Sequence, residues 1–305
     1  MTLKMTPTGN NRLPIQEYIS LHQQTVTRRL DDFLPPIHTS PKVLHEAMHY
    51  SIFAHGKRIR PILALATGEA LGGDPEQLIY LACALEMIHT YSLIHDDLPA
   101  MDDDDYRRGQ PSTHKKFGEG IAILAGNGLL THAFNLLVQI PLESDIIVSV
   151  IRQICEATGT TQGMLGGQAM DLASQGKSFS HETLQQIHEA KTGALISVSV
   201  SSAALLSKAS QEDYARLQAY GSSIGLAFQI VDDILDAEDP SGKSTETPSK
   251  DILRQKATYP TLFGLEKSRE MAAELVERAI HQLSFLGSEG KILKQLGRFI
   301  SVRRI

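Results

Sequence analysis

Two short stretches packed with carboxylates carry the most chemistry in this sequence. Residues 96–105 hold six aspartates and residues 232–239 hold five acids, with no Lys or Arg in either. Removing these eleven from the 35 Asp and Glu leaves 24 against 29 Lys and Arg, so the formal net charge of −6 hides a mildly basic remainder. Two like charges about 4 Å apart repel by roughly 4 kcal/mol at an effective dielectric of about 20. Carboxylates packed this way call for a cation. Magnesium takes hard oxygen ligands and is usually held by one or two carboxylates together with substrate phosphates. Separated carboxylate clusters without histidines fit that ion better than zinc.

The spacing of the acids sets a geometric requirement on the elements that carry them. Apolar residues upstream of Asp96 predict a buried helix from about Pro75 to Leu98, which Pro99 must bend or end. Asp96 and Asp102 would lie about 240° apart on an ideal helix, so a bulge at Leu98-Pro99 is needed to return Asp102 to the same mouth. In the second cluster Asp232 and Asp236 stand one turn apart and share a helical face.

Basic residues flank the first cluster and also occur earlier in the chain. Arg107 and Arg108 offer guanidinium forks suited to bidentate phosphate binding. In GKRIRP at 56–61, Pro61 is expected at the first helical position, which places Lys57 and Arg60 just before a helix N-terminus favourable to an anion. Taken alone, the acidic run reads as a solvated loop and GKRIRP as an ordinary basic turn. Together they imply two diphosphate sites, one held through metal and one held by bases directly.

The elements needed to position these groups are helical. PILALATGEAL at 61–71 and the stretch from Ile79 to Leu93 are apolar almost all round, as interior helices of a large bundle are. No internal repeat or long linker interrupts the chain, so residues 1–305 are expected to form one all-α domain. No basic tract suggests nucleic acid. The apolar run Gly193–Leu206 has 14 residues and four serines, too short and polar for a membrane span. Cys83 and Cys155 are expected as reduced core residues, and the first residues contain no apolar signal segment. A cytoplasmic protein without stable membrane insertion is the expectation.

Five motifs, in order, resemble those of the trans-isoprenyl diphosphate synthases, closest to the bacterial short-chain farnesyl diphosphate synthases. They are GKRIRP at 56–61, IHTYSLIHDDLPAMDDDDYRRG at 88–109, HEAKTGAL at 188–195, FQIVDDILD at 228–236 and KATYP at 256–260. The resemblance spans roughly Ser51 to Ile300. It implies the isoprenoid synthase fold, a large antiparallel helical bundle around a central cavity, usually as a homodimer. It also implies condensation of an allylic diphosphate with isopentenyl diphosphate, with three Mg2+ ions in the substrate complex.

Residue roles follow from the same resemblance. Asp96, Asp102 and Asp232 match the direct metal ligands, and Asp97, Asp233 and Asp236 match carboxylates that hold ligand waters or orient the ligands. Arg107, Lys191 and Lys256 match the basic groups on the allylic diphosphate. Gly56, Lys57, Arg60, His89 and Arg108 match the isopentenyl diphosphate site, and Thr192 and Gln229 match the polar groups that face the developing cation. A bulky residue at Tyr91 matches the floor of the product tunnel, which implies a fifteen-carbon product; its bland alternative is a core tyrosine with a bonded hydroxyl. Three departures stand out: His55 replaces a glycine, Asn127 replaces a carboxylate on a helix facing the cavity, and STETPSKD at 244–251 is longer than usual. A geranylgeranyl diphosphate synthase is the near alternative. A terpene cyclase needs no second basic site, and non-catalytic partner subunits commonly have damaged aspartate motifs, whereas these are intact.

Overall fold

The computed structural model describes residues 13–174, 180–238 and 258–302. Among them the chain is nearly all helix: α1 (Ile15–Phe33), α2 (Lys42–Ile52), α3 (Ile59–Ala70), α4 (Pro75–Asp96), α5 (Thr113–Phe117), α6 (Glu119–Leu137) and α7 (Ser144–Thr158) come first. Then follow α8 (Met164–Ser174), α9 (His181–His188), a π-helical turn (Glu189–Gly193), α10 (Ala194–Leu206) and α11 (Gln211–Glu238). After α11 come α12 (Tyr259–Phe263), α13 (Leu265–Gln282), a 3-10 turn (Leu283–Leu286) and α14 (Lys291–Val302). The described strands are β1 (Tyr106–Arg107) and β2 (Gln110–Pro111), an antiparallel hairpin. The all-α expectation and the isoprenoid synthase bundle are met.

Helix α4 is the axis of the bundle. Pro75 occupies its first turn and the Asp74 side chain accepts from the Glu76 N–H at 2.9 Å, so the start is capped. Its 22 residues run about 33 Å, and buried side chains from Leu78 to Ile94 point to every side. Helices α3, α6 and α10 pack around it. A second apolar cluster joins α1, α3, α10 and α11 to the C-terminal helices, and a third gathers α9, α11 and α12.

The π-helical turn and α10 meet α11 through small residues. A Cβ built on Gly225 would lie 2.8 Å from Gly193 Cα, and one on Gly221 would lie 3.0 Å from Ser197 Cα. At Gly225 any β-carbon would force the two backbones apart, and at Gly221 it would be tight.

Three expectations are corrected. Helix α4 ends at Asp96, two residues before Leu98, because the chain tightens into turns before Pro99: Asp97 N–H donates to the Leu93 carbonyl and Leu98 N–H to that of His95. Helix α3 starts at Ile59 with Arg58 as its N-cap at φ +52°, so Pro61 stands third and Arg60 inside the first turn; a missing N–H is harmless there too. Cys155 is an exposed thiol, whereas Cys83 is buried and free as expected. The inward stripe of α7 is Ile147, Val150, Ile154 and Thr158, which leaves Cys155 on its outer face.

Candidate active site

Past the end of α4 the chain folds back on itself. The Asp102 N–H donates to the Asp96 carbonyl at 2.8 Å, and the N–H groups of Asp103 and Asp104 donate to Leu98 and Asp97. This turn brings Asp102 to Asp96, as the spacing requires. Burial and the nearby Asp102 push the Asp96 carboxyl up to about 6, with Lys191 and Arg107 opposing the rise. A carboxylate so disfavoured in its charged form is relieved by a bound cation.

Asp97 points elsewhere. It is buried and accepts from Arg107 Nε at 2.9 Å and from Nη2, while Arg107 Nη2 also reaches Asp104 at 3.1 Å. Burial raises the Asp97 carboxyl, and Arg107 partly offsets it. Arg107 is thus held by two carboxylates on the hairpin side of the motif.

On α11, Asp232 and Asp236 stand one turn apart, half-buried and exposed respectively. Asp233 is buried and accepts from the Tyr259 N–H at 3.0 Å and from Gln229 Nε2 at 3.1 Å. Burial is the main reason its carboxyl is pushed up to about 7, and Asp232 and Asp236 add to that. Asp233 therefore ties α11 to α12.

The π-helical turn lies between the two acidic elements. Lys191 Nζ pairs with Asp171 on α8 at 2.6 Å and sits within electrostatic reach of Asp96. Thr192 Oγ1 donates to Gln229 Oε1 at 2.8 Å. A π turn widens the helix by one residue, and here adjacent residues serve the two motifs in turn. It is fixed from α8 as well: a Cβ on Gly167 would lie 2.3 Å from the Lys191 backbone nitrogen.

The basic site assembles from three segments. Arg108 has φ +56° at the turn between β1 and β2, and a Cβ on Gly56 would fall 2.6 Å from its Nη1. A side chain at 56 would displace this guanidinium. His89 of α4 is held well below the ordinary imidazole range by burial first, then by Arg60 and Arg108, so it is neutral. Lys57 is exposed, with its carbonyl accepting from Gln23 at 3.0 Å. Between Lys57 and Arg60, Arg58 turns inward to a buried ion pair with Glu86. His55 is exposed and outside the positive-φ region, so its β-carbon is accommodated in this turn. Asn127 is also exposed.

Tyr91 is 4% exposed in the core beside α6. Its ring meets His95 edge-on at 5.7 Å, and burial, then Asp96, push its hydroxyl up to about 12. Lys256 and residues 244–251 lie outside the described residues.

Two residues beside the site escape a reading of the acidic clusters. Asp171 holds Lys191, and Gln168, 7% exposed, has both side-chain amide atoms buried without a hydrogen-bond partner among the described residues. The available signal was local: a glycine pair at 166–167 followed by a carboxylate inside an apolar helix.

The candidate ligands Asp96, Asp102 and Asp232 are all carboxylates, and the raised Asp96 carboxyl fits occupation by a hard divalent cation. Comparison with known proteins agrees in kind. A polyprenyl synthetase family model matches residues 41–291. The geranylgeranyl diphosphate synthase of Cyanophora paradoxa is 45% identical over 93% of this chain and 94% of its own. The farnesyl diphosphate synthase of Geobacillus stearothermophilus is 41% identical over 96% and 99%. Among solved structures, a Zymomonas mobilis FPP/GFPP synthase superposes with a TM-score of 0.85 at 37% identity, covering 94% of this chain and 99% of that one.

Proposed function

The chain belongs to the polyprenyl synthetase family and condenses an allylic diphosphate with isopentenyl diphosphate, and we propose that its main product is farnesyl diphosphate, formed with magnesium. The observation that supports a two-substrate condensation is the presence of two basic groupings. Arg60 and Arg108 lie in the field of His89 with Gly56 packed against Arg108, whereas Lys191 lies in the field of Asp96.

Asp96, Asp102 and Asp232 are the proposed ligands of Mg2+, with Asp97, Asp233 and Asp236 holding ligand waters or orienting those ligands. Bound Mg2+ would neutralise the allylic diphosphate as it leaves. Lys191, Arg107 and Lys256 place positive charge on the same group, and the Asp97 and Asp171 pairings preset where Arg107 and Lys191 reach. Lys57, Arg60 and Arg108 hold the diphosphate of isopentenyl diphosphate, with neutral His89 as a hydrogen-bond partner. The Thr192 hydroxyl oxygen and the Gln229 amide oxygen stabilise positive charge developing at the allylic carbon. Their mutual hydrogen bond fixes both before substrate arrives. The family's chemistry leaves proton removal to the departing diphosphate, so no side-chain base is assigned.

Tyr91 supports the fifteen-carbon product. It is buried, and no hydrogen bond of its hydroxyl is present among the described residues, which favours a tunnel floor over a bonded core tyrosine. The 45% identity to a geranylgeranyl diphosphate synthase favours the twenty-carbon alternative. Product analysis from dimethylallyl and isopentenyl diphosphates separates them: mainly fifteen carbons is expected, and mainly twenty would sink the farnesyl reading.

The same reading takes residues 1–305 as one cytoplasmic domain acting as a homodimer. Among the described residues, α4 and α6 have the length and hydropathy of membrane spans, but the apolar stretch of α4 is 72% buried inside the bundle. The apolar stretch of α6 is 39% buried; Ile123 and Leu124 are exposed on it, Val138 just after its end, and Val148 on α7. A second copy covering that face accounts for these side chains. Sedimentation of the purified chain tests it, with a monomer at micromolar concentration as the contrary result.

A further inference from the structure

The base of the hairpin that carries Arg107 and Arg108 holds an acidic group to which the proposed function gives no role. One carboxylate oxygen each of Asp103 and Asp105 and a ring nitrogen of His114 lie within 4.8 Å of one another. The two aspartates are exposed, whereas His114 is 5% exposed. Its Nδ1 is 3.1 Å from Ser112 Oγ. Its Nε2 is buried with no hydrogen-bond partner among the described residues, an arrangement that ordinarily costs about 1–3 kcal/mol.

We propose that Asp103, Asp105 and His114 Nε2 form a divalent-cation site separate from the one at Asp96, Asp102 and Asp232. One imidazole and two carboxylates suit zinc, cobalt or nickel better than magnesium, which prefers an all-oxygen shell. A tetrahedral ion about 2.1 Å from each ligand needs them about 3.4 Å apart, so the trio must close by up to about 1.4 Å. Rotation of the two exposed aspartate side chains covers that distance, and water completes the coordination. Lys115 Nζ lies 2.8 Å from Asp105 Oδ1, with both side chains largely exposed, and competes for the same carboxylate.

The location gives the ion a mechanical role. The Ser112 N–H donates to the Asp105 carbonyl at 2.9 Å, closing the hairpin where α5 begins. An ion bridging Asp103 and Asp105 to His114 adds a second closure at that base. The Arg107–Arg108 segment is then anchored at both ends.

The test is titration of the full chain with Co2+ alone, without diphosphate, followed by its visible absorption. One bound equivalent with a nitrogen- and oxygen-ligated spectrum is expected, resisting displacement by excess Mg2+. Asp105→Asn and His114→Gln should lose that equivalent, Lys115→Gln should tighten it, and Asp96→Asn should retain it. Asp105 is exposed, so Asp105→Asn decides the matter should His114→Gln fail to fold. The proposal is overturned by absence of Co2+ binding to the wild type, by persistence of the equivalent in folded Asp105→Asn, or by its loss in Asp96→Asn.

Discussion

The Lys191 ammonium lies 2.6 Å from Oδ2 of Asp171, and the same lysine reaches the field of Asp96. Asp171 is thus a positioning residue for a proposed diphosphate-binding lysine. Asp171→Asn should lower kcat/KM for the allylic substrate about 10- to 100-fold, or about 1.4–2.8 kcal/mol of transition-state stabilisation. Steady-state kinetics on the double variant with Lys191→Ala provide the control: it should be no worse than Lys191→Ala alone, since the two act as a unit.

Removing a proposed metal ligand should abolish turnover and spare the fold. Asp96→Ala and Asp232→Ala are expected to lower kcat by at least about 1,000-fold, more than about 4 kcal/mol. Neither carboxylate is required by the helical core, so circular dichroism should be unchanged. Near-normal turnover in either variant would remove the basis for the site, and chelation of Mg2+ should mimic both.

The two anion sites should respond separately to mutation. Arg60→Ala is expected to raise KM for isopentenyl diphosphate much more than KM for the allylic substrate, because Arg60, like Arg108, acts on His89 of the proposed isopentenyl diphosphate site. Varying one substrate at saturation of the other measures the split. Equal weakening would mean that the assignments are crossed.

Opening the proposed tunnel floor should lengthen the product. Tyr91→Ala is expected to shift output from fifteen carbons toward twenty or more, with a stability loss near the low end of large aromatic deletions, about 3 kcal/mol. Chromatography of dephosphorylated products reports the first effect and thermal denaturation the second. An unchanged chain length in the variant would return Tyr91 to an ordinary core role.

His89 makes stability depend on pH in a direction that can be worked out. Its ordinary value is 6.5, and burial with Arg60 and Arg108 places the folded value well below that. On acidification the unfolded chain therefore takes up this proton before the folded protein does, and folding stability falls. Denaturant titrations from about pH 7 to about pH 5 should show a larger loss in wild type than in His89→Gln. Identical slopes would place His89 in a solvated position.

Much of this arrangement was legible in the sequence because it follows from period and charge. The apolar run before Asp96 predicted a buried helix, and the Asp96–Asp102 spacing predicted a chain reversal, which the Asp102 N–H to Asp96 carbonyl bond provides. Long-range pairings were not legible. Nothing local distinguishes inward Arg58 from outward Lys57, since the difference is set by Glu86 on another helix. The resemblance set Asp97 and Asp233 apart from the direct ligands, but not the neighbours on β1 and α12 that claim them. Asp171 was marked locally only by the glycine pair before it, and its meaning comes from Gly167 letting α8 press against the π turn.

Helix α4 carries both Tyr91 and Asp96, and it is packed on all sides. If Tyr91 is the floor, this helix works as a rigid ruler, with one graduation about every 1.5 Å. Inserting a residue between the two marks would turn one half of the helix by about 100° against every neighbour. The scale therefore cannot be stretched by insertion. It can be re-marked only by exchanging side chains along it, so new product lengths in this lineage are accessible by point substitution and closed to insertion or deletion within α4.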